Sequence, residues 1–127
     1  MKISEIYETA LFLAEKTDDY SGFTDPEYKK IHQNRGLELI KQAAYKLSNT
    51  ENIKVLEIGR LSFESEINIP YHIGKFIIPL YVAAILCKQD GEDDKYNILI
   101  YEYENSINHI KHEEESIFEP SLLEGLR

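Results

Sequence analysis

A chain of 127 residues is the size of one ordinary domain, and a hydrophobic fraction of 43% is enough for a real core, which argues against global disorder. Of the net charge of −9, residues 90–127 carry −8 and residues 1–89 only −1; such a surface disfavours tight binding to nucleic-acid phosphates and serves solubility or a basic partner. One cysteine excludes an intrachain disulfide framework and fits an intracellular setting, the start MKISEIYETALFLAEK is interrupted by Glu5 and Glu8 and does not read as a signal peptide, and the apolar run Phe76 to Cys87 is shorter than the roughly 20 residues of a membrane span, so the chain is expected to be soluble.

Along the chain, Ile3, Ile6, Tyr7, Ala10, Leu11 and Ala14 recur at spacings of three and four, which predicts a short amphipathic helix over 2–15 with no strong cap. Lys16 to Thr24 is a polar loop marked by Gly22. Asp25-Pro26-Glu27 is a helix start, with Asp25 as cap and Pro26 at the first helical position. Tyr28, Ile31, Leu39, Ile40, Ala43, Ala44 and Leu47 then hold helical phase to about residue 48. Gly36 breaks that helix at a cost of about 1 kcal/mol relative to alanine, which points to close approach of a neighbouring helix.

Over 53–69 the period changes to two: Ile53, Val55, Leu61, Phe63, Ile67 and Ile69 alternate with polar residues. This predicts an extended arm, or a hairpin turning at Gly59-Arg60, that packs on the helices or on another chain. Pro70 opens a helical turn over 71–77, and Pro79 either starts a new helix over 79–89 or kinks a continuous one. Leu80 to Cys87 is apolar on every face, so this helix should be central. Asp90 to Asp94 is an acidic turn, and Tyr96, Leu99, Ile100, Tyr103, Ile107 and Ile110 predict a long helix over 93–114. Beyond it the helical period is lost, yet Ile117, Phe118, Leu122, Leu123 and Leu126 stand among acids around Pro120. That composition reads as a docking segment ordered by a partner, or as one that folds back on its own domain.

Chemical motifs are scarce. His109 and His112 are three apart on a helix, but a catalytic zinc site needs at least three protein ligands, and exposed histidines are the simpler reading. Cys87 lies in an apolar run, as a small buried hydrophobe does, and lacks the electropositive setting of a thiolate. Asp18-Asp19, Asp93-Asp94 and Glu113-Glu114-Glu115 sit in turns or at a helix end, where water keeps carboxylates ordinary. Phosphate loops, HExxH and EF-hand patterns are absent from the sequence. No cofactor or metal is expected. Nine tyrosines and no tryptophan suit core edges and interfaces.

The order of the pieces carries more information. Ile69-Pro70, Ile78-Pro79-Leu80-Tyr81-Val82-Ala83-Ala84, the turn Asp90-Gly91-Glu92-Asp93-Asp94 and Tyr101-Glu102-Tyr103-Glu104 follow one another after the 25–48 helix. Over about residues 30–112 this resembles the head–tail connector proteins of tailed bacteriophages, of the adaptor or head-completion type. The resemblance implies a mostly helical, non-enzymatic subunit located in the neck of the virion and assembled in the host cytoplasm. It implies a ring, commonly twelvefold, of copies beneath the portal protein, extending the DNA channel and offering a platform to the next neck or tail protein. DNA would pass without specific binding.

The expected fold is therefore an all-α bundle of four to five helices with a small extended arm at about 53–69. The helical domain would span 1–115 and a docking tail 116–127. Candidate contacts to the portal or a neighbouring subunit are Ile117, Phe118, Pro120, Leu122, Leu123 and Leu126, with Leu61 and Phe63 on the arm. The alternatives are a tail-completion protein, a small cytosolic inhibitory or regulatory module with an acidic face, and an enzyme with a hidden pocket around Tyr81, Cys87 and His109.

Overall fold

The computed structural model describes residues 1–18, 22–51, 61–67 and 69–118, the last with backbone alone from 111, as also for 48–51. Its helices are α1 (Ile3–Leu13), α2 (Pro26–Glu51), a π-helical turn (Ile73–Ile77), α3 (Ile78–Gln89) and α4 (Asp93–Phe118). Among the described residues there is no strand, and the architecture is a helical bundle. The all-round apolar helix is central: α3 packs against α1, α2 and α4. Leu80, Val82, Ala83, Ala84, Leu86 and Cys87 are all buried there. Burial of each larger aliphatic side chain contributes about 1.5–3 kcal/mol.

The seam between α1 and α2 explains Gly36. The Tyr7 ring lies so close that a β-carbon on residue 36 would stand 2.4 Å from its Cε1. Tyr7 is fully buried and its hydroxyl donates to the Lys29 carbonyl at 2.9 Å, so the ring has nowhere to retreat. The missing side chain is thus a packing requirement, as the sequence predicts. Asp25 also acts as expected: its Oδ1 accepts from the Glu27 N–H at 3.0 Å, satisfying a donor that the helix start leaves free. Ile31 departs from its predicted role, being exposed on the outer side of α2.

The N-terminus of α1 lacks a strong side-chain cap, and the chain solves this at long range. The N–H groups of Ile3 and Ser4 donate to the carbonyls of Ser65 and Phe63 at 3.1 and 3.0 Å. The Ile67 N–H returns to the Met1 carbonyl at 3.0 Å, Lys2 and Glu66 form an isolated antiparallel bridge, and the terminal ammonium meets Glu66 at 2.6 Å. Residues 61–67 therefore cap a helix. They turn at Phe63-Glu64 and do not run as a strand. The other part of the expected arm, including the Gly59-Arg60 turn, lies outside the described residues.

Pro79 stands in the first turn of the α-helix Ile78–Gln89, close to the predicted start at 79, but that helix follows a π turn without interruption. Residues 71–89 form one helical run whose first part is wound as a π turn. The Ile78 N–H donates back five residues to the Ile73 carbonyl. A proline in a regular α-helix clashes with the carbonyl four residues earlier and supplies no donor. The wider π winding just before Pro79 relieves that conflict. Gly74 within the turn lets the chain start come close: a β-carbon there would stand 3.1 Å from the Met1 sulfur. At the far end, α4 runs to Phe118, four residues past its predicted end, so Ile117 and Phe118 belong to the helix backbone and not to a separate tail.

Candidate functional site

The bundle has two unlike ends. At one, α1 finishes, α2 begins and the α3–α4 turn lies between them. Glu15 adopts the left-handed conformation (φ 59°) and Gly91 does the same (φ 77°). Each reverses its helix by a Schellman-type bond, Lys16 N–H to Leu11 carbonyl and Glu92 N–H to Cys87 carbonyl, both 2.9 Å. The two residues thrust forward, Lys16 and Glu92, meet in an ion pair.

Around that pair the charges are dense. Lys16 also reaches Asp90 at 2.8 Å, and the Tyr28 hydroxyl donates to Asp90 at 2.7 Å. Lys95 bridges Glu92 at 2.8 Å and Glu15 at 3.1 Å. Lys16 is only 12% exposed in its side chain, so this is a clamp with a half-buried centre. Burial by itself would raise the Asp90 pKa, but the hydrogen bonds from Lys16 and Tyr28 outweigh it and hold the carboxyl below its ordinary range. Glu92 is lowered by its bonds to Lys16 and Lys95. Burial works against the Lys16 ammonium, yet its bonds to Asp90 and Glu92 raise its pKa. Asp90 and Glu92 of the acidic turn are thus committed to ion pairs within the chain.

At the other end lies an open groove of about 590 Å³ between the π turn and α4. Ile77 and Ile110, nearly buried, form its floor. His72 and Phe76 stand on one wall, and Asn105, Ser106 and His109 on the other. Phe76 is 59% and Tyr71 66% exposed, and their rings meet edge to face at 6.3 Å between centroids. On a straight helix, Ile98, Tyr101, Asn105 and His109 fall within an arc of about 80°. Ile98 and Tyr101 are exposed, so an apolar stripe leads along α4 toward the groove. Among the described side chains that line the groove, none is acidic. The Ser106 hydroxyl is committed to the Glu102 carbonyl at 2.9 Å. The surface suits apolar side chains from a partner segment, by analogy with helix-groove recognition.

The sequence candidates distribute as follows. Leu61 and Phe63 are half-buried against their own core, with the Phe63 ring 5.4 Å from that of Tyr7, so their apolar faces serve this chain's packing. Pro120, Leu122, Leu123 and Leu126 lie outside the described residues, as do the side chains of Ile117, Phe118 and His112. Tyr81, Cys87 and His109 do not share a pocket: Cys87 sits under the clamp, its sulfur 3.9 Å from the Ala14 carbonyl, while His109 lines the groove at the opposite end. Burial pushes the Cys87 thiol pKa up, with Glu92 adding to it, the reverse of what a nucleophile needs. Among the described residues, no three His, Cys, Asp or Glu side chains gather closely enough to hold a metal ion. No described helix is long and apolar enough to cross a membrane.

Comparison with protein-family models, with curated proteins and with solved structures returns no match.

The sequence does not single out the groove residues His72 and Phe76, nor Tyr71, whose ring meets that of Phe76. Their signal is faint but present: two aromatics and a histidine in a short segment enclosed by Pro70 and Pro79.

Proposed function

We propose that this protein is a structural assembly subunit, a head–tail connector of the adaptor type found in tailed phages and phage-like particles. The observation that carries the reading is the aromatic groove, because it is built on the segment that bears the connector resemblance. Ile69-Pro70 and Ile78-Pro79-Leu80-Tyr81 bracket the segment 71–77, in which Tyr71 and Phe76 are exposed and Phe76 lines the groove beside α4. A chain that buries α3 this thoroughly and leaves paired aromatics exposed at one end has a surface suited to association.

In this role copies would form a ring beneath the portal protein, and the groove would take an apolar segment from the portal, a neighbouring copy or the next neck protein. Exposed Glu102 and Glu104 on α4 would favour a channel face that lets DNA slide. The test is quantitative peptide mass spectrometry of tailed particles purified from the source strain after induction. A copy ratio to the portal near one supports the connector role; absence from clean particles refutes it.

A further inference from the structure

We infer that two copies of this chain associate through the outer face of α2, antiparallel about a two-fold axis at Asn34. The core face of α2 is Leu39, Ile40, Ala43, Ala44 and Leu47, all buried. On the other side of the helix, Glu27, Lys30, Asn34, Glu38 and Lys41 fall within an arc of about 80°. Glu27, Lys30, Asn34 and Glu38 are exposed and Lys41 is half-buried. Glu27 and Lys30, like Glu38 and Lys41, are three apart on one helix, a spacing at which opposite charges can pair. Among the described residues none of these charges forms an ion pair. The other cations of α2 are placed differently: Lys29 meets Glu8 at 2.6 Å, Lys46 lies over the Tyr81 ring at 4.6 Å, and Arg35 falls outside the arc.

The order of the signs selects a second copy as the partner. Along the row they read minus, plus, minus, plus, with Asn34 at the centre, and Lys30 and Glu38 are as far from it on either side as Glu27 and Lys41 are from each of these. A two-fold axis at Asn34 reverses the helix and brings residues equally distant from the centre level with each other. Lys30 then meets the other copy's Glu38, and Lys41 its Glu27, each twice, so every cross-pair is of opposite sign. A parallel pairing in register would set each charge against its like. One patch thus serves both copies, as an isologous contact requires. Helices packed about 8–10 Å apart bring such side chains within reach. Exposed Ile31 flanks the row, and exposed Phe23 and Tyr45 lie toward its two ends, so the antiparallel arrangement sets one copy's Tyr45 at the end that carries the other's Phe23. None of these residues lines the groove, and the pairing does not rest on the connector reading.

Exposed ion pairs are individually weak and screened by salt, so the test is sedimentation equilibrium of the full chain up to about 1 mM, in about 20 mM and about 500 mM salt. Two variants keep the net charge of −9. Lys30→Glu with Glu38→Lys exchanges the members of one cross-pair and leaves every contact attractive. Glu38→Lys with Lys41→Glu keeps the same charges on the same face but sets like against like in every cross-pair. At low salt the wild type and the first variant should dimerise with dissociation constants within about threefold of each other, and the second variant about tenfold or more weaker, a gap that high salt narrows. A wild type that stays monomeric throughout overturns the inference. So does a second variant that dimerises as the wild type does, which would assign association to another face. A first variant as weak as the second overturns the antiparallel register. Glu27→Lys with Lys30→Glu makes the same like-charge prediction and replaces the second variant should that one fail to fold.

Discussion

The clamp end and the groove end of one helical bundle solve the problem of exposed surface in opposite ways. At the clamp end three chain segments meet, and their charges neutralise one another: Lys16 with Asp90 and Glu92, Lys95 with Glu92 and Glu15. At the groove end a π turn widens the helix, and the gap beside it is lined with aromatic and aliphatic surface left open. The contrast separates charge that holds the fold from apolar surface that the described residues do not cover. An acidic composition taken alone invites the opposite reading, in which the acidic turn faces a partner.

The closest seam in the bundle's core is Tyr7 of α1 on Gly36 of α2, and damage there should be the largest effect. Gly36→Val forces side-chain atoms into a fully buried ring and should cost about 3 kcal/mol, measured as a lower urea midpoint. Next comes Lys16→Met, which keeps the packing stem but leaves Asp90 and Glu92 facing each other without their shared cation. Between the values for exposed and buried pairs, a loss of about 2 kcal/mol is expected.

Acid should discriminate the ends in the same way. Asp90, Glu92 and Glu8 all have folded-state pKa values below their ordinary ones. For Glu8, burial opposes the shift, and hydrogen bonds from Lys29 and Thr24 overcome it. Their stabilisation is fully present above the unfolded carboxylate range, roughly pH 4, and is lost as pH falls through the lower folded values. The acid loss should shrink in Lys16→Met, read from urea midpoints between pH 7 and pH 3. The smallest effect on folding belongs to the groove: Tyr71→Ser with Phe76→Ser should change stability by less than about 1 kcal/mol, since both rings are mostly in water.

What sequence could supply follows from the range of the interactions. Helix periods in 2–15, 25–48 and 93–114 are local and match α1, α2 and most of α4, and the all-apolar block 80–87 marks α3 as central. Gly36 was legible because a helical glycine is costly and needs a reason. Pro79 left two outcomes open, since nothing local shows that a bond from Ile78 to Ile73 will absorb it. The alternation at 61–67 reflects true half-burial of Leu61 and Phe63, but its backbone partners are the free donors of α1 rather than a strand. The clamp was invisible because Lys16 and Asp90 are far apart in the chain and each looks like an ordinary loop charge. The groove was hidden because facing depends on the π winding, which shifts the phase of Tyr71 and Phe76 against the helix that follows.

The central claim is that charge closes one end for folding while apolar surface at the other is held for docking. It is tested most directly by urea unfolding of the wild type, Lys16→Met and the Tyr71→Ser, Phe76→Ser double variant at pH 7. The account predicts a clear drop for Lys16→Met, near 2 kcal/mol, and a change below about 1 kcal/mol for the double variant. A double variant that loses as much stability as Lys16→Met would make the groove part of the folding core and contradict the claim.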